Sequence, residues 1–203
     1  MTAMNDPHAP AQRLCMVRPH LRDLVHTPLP AGFYSRRLRP HETAAWTGIV
    51  RAAERFLDLP DDLFEQQFGD DLEAAFDRCI LVCDAQDRPV ATATAWYDNA
   101  FRGGRWGRLH WLAVRPACQR RGLGRATLAR ALERLAELHD RCYLITDARR
   151  TVAVELYRRY GFRVAADPTA SPGPPEDRPC ATTPGARSRG RPPRPAANGG
   201  RHE

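Results

Sequence analysis

The stretch LHWLAVRPACQRRGLGRATL (residues 109–128) decides how this chain is read. An apolar run stops at Pro116. A polar segment follows, with Gly122 and Gly124 set among arginines, and then a helical pattern begins. Backbone N–H groups at a helix start have no partner inside the helix, and the helix dipole makes that end positive. Glycines let such backbone approach a bulky anion, because no Cβ stands in the way. A strand, then QRRGLG, then a helix over about 123–138 is therefore a cradle suited to a pyrophosphate. A G-x-G-x-x-G dinucleotide fingerprint would need a third glycine where Thr127 stands, and a P-loop would need Gly-Lys-Ser/Thr, which is absent.

Charge supports the same reading. All 31 basic side chains are arginine, and the formal net charge is +7. A coding bias accounts for the choice of arginine at least as well as function does; position carries more information. Between Asn99 and Arg130 stand Arg102, Arg105, Arg108, Arg115, Arg120, Arg121, Arg125 and Arg130, with no carboxylate among them. That positive field calls for an anionic ligand or a well-solvated face. Nucleic acid is the disfavoured partner. Stacking recognition needs exposed rings interleaved with the charge, and only Trp106 and Trp111 lie nearby, the latter expected in the interior.

Working outward, the signals alternate. FYSRRLRP (33–40) reads as a strand, and residues 42–57 as a helix with Ala45, Trp46, Ile49, Ala53 and Phe56 at helical spacing. A second helical region covers about 61–77. CILVCDA and VATATAWYD read as a hairpin. The LHWLAV strand, the 123–138 helix, the CYLITD strand, a helix over about 152–160 and an FRVAAD strand complete the order β-αα-ββ-β-α-β-α-β. This is an α/β (α+β) class, with a mixed, mostly antiparallel sheet flanked by helices. Residues 1–32 read as a loosely ordered segment, 33–167 as the domain, and 168–203, with nine of the 18 prolines, as a disordered tail. No run approaches the ~20 apolar residues of a membrane span, and no secretory signal is visible at the N-terminus. The six cysteines contain no C-x-x-C pair; Cys79 and Cys83 read as buried strand residues, and no metal site is expected. A cytoplasmic setting and no membrane partner fit these features.

Two motifs together carry a family resemblance. One is V-x-P-x-x-Q-R-R-G-L-G-x-x-x-L, made by Val114, Pro116, Gln119, Arg120, Arg121, Gly122, Leu123, Gly124 and Leu128. The other is AVELYRRYGF, residues 153–162. Over about 33–167 the chain resembles the GNAT N-acetyltransferase superfamily. The resemblance implies acetyl-coenzyme A as acyl donor and direct transfer to a primary amine of a small-molecule or peptide acceptor. Leu112, Ala113 and Val114 would pair with the pantetheine arm, the Leu112 N–H facing the thioester oxygen. The amides of Arg120, Arg121, Gly122, Leu123, Gly124 and Arg125 would hold the pyrophosphate. Tyr157 matches the tyrosine that hydrogen-bonds the departing sulfur, although spacing alone also fits a core tyrosine. His110, two residues before Leu112, would share its face on a regular strand; it is a proton relay or a half-buried structural histidine. Glu42, Trp46, Trp96, Tyr97 and Asp98 could line an acceptor pocket or serve as packing.

Two departures qualify this. Arg150 stands where family members frequently have asparagine. After FRVAADP the family usually adds a further strand, whereas here a proline-rich stretch follows, read as a shortened or shifted C-terminus. That would expose a sheet edge unless the N-terminal region covers it. Both departures favour the alternative of a coenzyme-binding module or regulator that transfers nothing. A homodimer is compatible with the sequence.

Overall fold

The computed structural model describes residues 12–165. The expected tail over 168–203 and the first eleven residues lie outside them. Seven strands form one sheet: β1 (Arg13–Arg18), β2 (Phe33–Arg37), β3 (Cys79–Asp84), β4 (Pro89–Asp98), β5 (Trp106–Val114), β6 (Cys142–Asp147) and β7 (Arg163–Val164). Their spatial order is β2-β3-β4-β5-β6-β1-β7. Every neighbouring pair is antiparallel except β5 and β6, which are parallel. The mixed, mostly antiparallel sheet read from the sequence is the one observed.

Helices cover both faces. On one side α1 (Thr43–Ala53), α2 (Leu63–Phe68) and α3 (Leu72–Arg78) pack over β3, β4 and β5, with Trp46, Ile49, Phe64 and Phe68 fully buried. On the other, α4 (Leu123–Leu138) and α5 (Thr151–Arg159) bury Leu128, Leu132, Leu135, Val154 and Tyr157. Each fully buried leucine of that stripe stabilises the fold by roughly 2 kcal/mol. The region expected as one helix over 61–77 is two, broken by a 3₁₀ turn at Gly69–Asp71; Asp71 then caps α3 by accepting from the Ala74 N–H. Helix α1 stops at Ala53 rather than near 57. The Glu54 carboxylate accepts from the N–H groups of Arg55 and Phe56 and turns the chain off the helix axis.

The N-terminal segment is the main difference from expectation. Residues 13–18 form a strand, β1, which pairs with β6 along its whole length and with β7 on its other side. The sheet edge that a missing final strand would expose is thus covered by the N-terminal region. RLCMVR is too short to signal a strand locally, and its partners lie about 130 residues away in sequence. Arg18 locks this corner. It is 5% exposed, and its guanidinium donates to the carbonyls of His20 and Arg22 and of Tyr160 at the end of α5. Gly161, at φ +81°, lies against it, and a Cβ there would stand 3.3 Å from the guanidinium.

Arg18→Met leaves those three carbonyls without their donor. It should lower unfolding free energy by about 3 kcal/mol, read as a shift in urea midpoint at constant slope. A change within ~0.5 kcal/mol would show that β1 is held by its ladder alone.

Candidate active site

Strands β5 and β6 share only two ladder positions, Gly107 with Cys142 and Arg108 with Tyr143. Beyond them the strands part, so residues 109–114 and 144–147 face one another across an opening. At the root of this opening, α4 approaches closely. A Cβ on Gly107 would come within 2.8 Å of Leu135 and 3.2 Å of the Arg141 carbonyl oxygen, so any other residue would push Leu135 and the Arg141 backbone aside.

Strand β5 also carries a bulge. Thr94 of β4 pairs with His110 and Thr92 with Ala113, so Trp111 and Leu112 together oppose the single residue Ala93. Trp111 takes φ +48°, a conformation costing a bulky residue on the order of 1–3 kcal/mol. Its surroundings hold it there. The indole N–H donates to Gln67 Oε1 at 3.2 Å, and the ring meets Trp46 edge-on.

The bulge corrects one expectation. On a regular strand His110 and Leu112 would share a face; the extra residue breaks the alternation. His110 instead lies with Trp111 on the α1–α2 side, edge-on to Phe68, while Leu112 packs towards the α4–α5 core. The His110 Nε2–H donates to Gln67 Oε1 at 3.0 Å, the same atom that receives the Trp111 N–H. Burial, aided by the charge of Arg108, holds the His110 pKa well below the ordinary histidine value, so the ring is neutral near pH 7. Neither Trp111 nor Leu112 has a ladder partner on β4 or β6.

At the open end, β5 leads into the glycine-containing loop. Gln119 Nε2 donates back to the Val114 carbonyl at 3.0 Å, and Arg115 donates to Pro89. Arg120 (φ +62°) and Gly122 (φ +83°) then turn the chain into α4. The first bond inside this turn runs from the Ala126 N–H to the Gly122 carbonyl. The N–H groups of Leu123, Gly124 and Arg125 precede it, with no side-chain cap and no acidic residue in the first turn. A Cβ on Gly124 would meet nothing nearer than Val114 at 3.8 Å, so among the described residues the side-chain direction at this position is uncrowded. Thr127, at the would-be third glycine, bonds inside the helix to the Leu123 carbonyl.

The arginine block separates in space. Arg120, Arg121 and Arg125 are exposed around the loop, Arg121 lying over the Phe33 ring. Arg102, Arg105 and Arg108 lie at the other end of β5, against Phe101, Tyr97 and Tyr143.

Tyr157 is buried on α5 among the residues facing the sheet, edge-on to Phe162. Its hydroxyl makes no hydrogen bond to any described residue, and burial pushes its pKa up to about 12. Arg150 accounts for its own departure from the family pattern: it binds both oxygens of Glu54 at 2.7 Å and lies over Phe56. The residue points to α1, and sequence reasoning missed this partner because Glu54 lies 96 positions away. Of the residues considered for an acceptor pocket, Trp46 and Trp96 are fully buried packing rings. Glu42 is committed to Arg36, and the Tyr97 hydroxyl donates to Asp71. Asp98 accepts from Tyr143 near the root of the opening. Among the described residues, no helix is long and apolar enough to cross a membrane and no His, Cys, Asp and Glu group could hold a metal ion.

A mixed sheet that opens beside an uncapped helix start defines the class of domain. The chain belongs to the acetyltransferase (GNAT) family, which it matches over residues 36–162. It is 34% identical over 162 residues to a mycothiol acetyltransferase of Kineococcus radiotolerans, covering 76% of this chain and 50% of that protein. A mycothiol acetyltransferase of Clavibacter sepedonicus is 39% identical over 102 residues, covering 41% of this chain and 33% of that one. The chain therefore spans half or less of these relatives' length. Among solved structures, a GCN5-related N-acetyltransferase from Sphaerobacter thermophilus superposes with a TM-score of 0.60 at 20% identity, covering 76% of this chain and 49% of that one. The ribosomal-protein-S18-alanine N-acetyltransferase of Escherichia coli superposes at 0.52 and 21% identity, covering 66% and 79%. These two likenesses concern the fold.

Burial of neutral histidine has a consequence for stability. His139 accepts from Arg78 at 3.4 Å, and burial together with Arg78 and Arg105 lowers its pKa to about 4. His110 is lowered too. Each folded-state value lies below the unfolded value of 6.5, so each contribution is complete above pH 6.5 and is lost as pH falls. Carboxylates such as Glu54 and Glu42, lowered from 4.5, begin to weaken the fold only further down. Between pH 6.5 and 4.5, stability should fall by up to about 1.4 kcal/mol per pH unit for His139, with His110 adding a fall in the same direction. His139→Gln, which keeps an acceptor for Arg78, should reduce that slope in urea titrations. An unchanged slope would place His139 in water.

Proposed function

We propose that this protein is an acetyl-coenzyme A-dependent N-acetyltransferase acting on a primary amine. The observation that carries the reading is the opening between β5 and β6, which leads to the uncapped, acid-free start of α4. A GNAT-family chain that binds this donor needs backbone donors free at that place, and three amides there lack caps.

Bound acetyl-coenzyme A supplies the thioester carbonyl that the amine attacks. The amides of Arg120, Arg121, Gly122, Leu123, Gly124 and Arg125 hold the pyrophosphate, with exposed Arg120, Arg121 and Arg125 adding charge. Leu112, Ala113 and Val114 pair with the pantetheine arm along the free edge of β5. The Leu112 N–H, released from the ladder by the bulge, is the donor placed for the developing oxyanion. Tyr157, kept protonated by burial, donates a hydrogen bond to the departing sulfur. Full transfer from a phenol of pKa about 12 to a thiolate near 8.5 would be uphill by roughly 5 kcal/mol, so Tyr157 stabilises by hydrogen bonding.

Removing a proton from the acceptor is the larger task. An alkyl ammonium near pKa 10.4 costs about 4.6 kcal/mol to deprotonate at pH 7. His110 is a poor base for it: its Nε2 carries the proton given to Gln67, and its pKa is lowered. Water takes this role, and His110 positions the bulge through Gln67. A mycothiol-related amine belongs among the acceptors to try, since two relatives bear that name.

The test is coenzyme A release from acetyl-coenzyme A against small amines, amino acids, antibiotics, peptide N-termini and mycothiol-related amines. Amine-dependent release is expected; tight coenzyme binding with no release across the panel would contradict the proposal. Gly124→Leu fills the space before the loop and should weaken coenzyme A binding at least tenfold by calorimetry while changing the urea midpoint little. Equal affinity would move the pyrophosphate elsewhere. Tyr157→Phe should slow single-turnover transfer by about 30-fold, the equivalent of ~2 kcal/mol for a leaving thiol at pH 7. Full turnover would remove Tyr157 from the chemistry.

A further inference from the structure

At the root of the opening stands an arginine whose charge nothing in the described residues answers. Arg108 pairs with Trp96 on one side and Tyr143 on the other, at the last position where β5 and β6 remain together. Its neighbours Gly107 and Leu109 turn towards α4, so Arg108 projects to the opposite face, that of Trp106 and His110. It is partly buried; its guanidinium lies 6.0 Å over the Tyr143 ring, and Nε is enclosed without a hydrogen-bond partner. No carboxylate pairs with it among the described residues. Asp98 is taken by the Tyr143 hydroxyl and the Ala100 N–H, both at 2.8 Å. At the far end of β6, Arg149 and Arg150 are already matched by Asp147 and Glu54. Arg102 and Arg105 have no carboxylate partner among the described residues either, but they are exposed, where water satisfies them.

A partly buried guanidinium whose Nε is enclosed without a partner has hydrogen-bonding capacity left for a ligand, and its planar fork matches a carboxylate bidentately. One arginine supplies one unit of charge, which suits a carboxylate better than a phosphate dianion. Four residues separate Arg108 from Leu112, but the bulge takes up one position, leaving roughly 10 Å at ~3.4 Å per residue. An acceptor lying along this face, past His110 and Trp111, can therefore present its amine at the Leu112 backbone N–H while its anionic end reaches Arg108. Resting on the acetyltransferase reading, we infer that Arg108 is the specificity determinant of the acceptor site and selects an amine that also carries a carboxylate.

The experiment compares matched acceptors on the full chain: amino acids and short peptides against their carboxamides, and ethanolamine against phosphoethanolamine. Wild type should favour carboxylates in kcat/KM by about 10- to 100-fold. Arg108→Gln should lose that preference through KM, with coenzyme A affinity and turnover of the carboxamides kept. Arg108→Lys, which keeps charge but not the fork, should fall between and serves if the glutamine variant does not fold. Equal use of acid and amide by wild type, equal loss of both in the variants, or preference for the phosphate would overturn the inference. Calorimetry of the same pairs on coenzyme A-loaded protein separates the two proposals. Carboxylate binding that depends on Arg108 without turnover supports the site and contradicts acetyl transfer; no difference between acid and amide contradicts the site.

Discussion

The separation of β5 from β6 is the constraint on which the rest of the structure depends. Two ladder positions join them, against six between β6 and β1. Strand β6 is thus committed to β1 along its length, and its other edge is left open. Gly107 lets α4 press against the root of the opening, and the bulge takes Trp111 and Leu112 out of the β4 ladder before Ala113 and Val114 rejoin it. Burying Trp46, Phe64 and Phe68 beneath α1 and α2 stabilises the strained backbone at Trp111. Packing energy from a hydrophobic face therefore holds open a polar edge.

Electrostatics divides the opening into two ends. Around Gly122 and Gly124, unpaired amides and exposed arginines face solvent with no acid in the first turn of α4. Across the sheet, Glu54 and Asp147 neutralise Arg150 and Arg149, tying the end of α1 to the turn before α5. Phe56 lies beneath both guanidinium groups. The two features that favoured a non-catalytic reading acquire structural accounts: Arg150 is an ion-pair partner, and the sheet edge is covered by β1.

Legibility followed the range of the interactions. The α4 stripe of Leu128, Leu132 and Leu135 and the loop before it were readable because their determinants lie within a few turns of chain. The 153–162 motif was singled out through resemblance, and the fold places most of it on α5 with Tyr157 facing the sheet. Strand β1 was not, because its stability comes from partners far along the chain. The side on which His110 lies was misread for a related reason: alternation holds only on a regular strand, and the bulge is imposed by packing of Trp111 against Trp46 and its bond to Gln67. Arg18, Glu54 and Gln67 carry no motif, and only the folded arrangement shows what each one holds.

The central claim is that the amides at the start of α4 and at the β5 bulge are the donors that meet the coenzyme. Backbone amide resonances followed by NMR as coenzyme A is added to the full chain report on it directly. The account predicts that Leu112, Leu123, Gly124 and Arg125 shift together and saturate with one affinity. Saturable binding that leaves those four amides in place and moves others would contradict it.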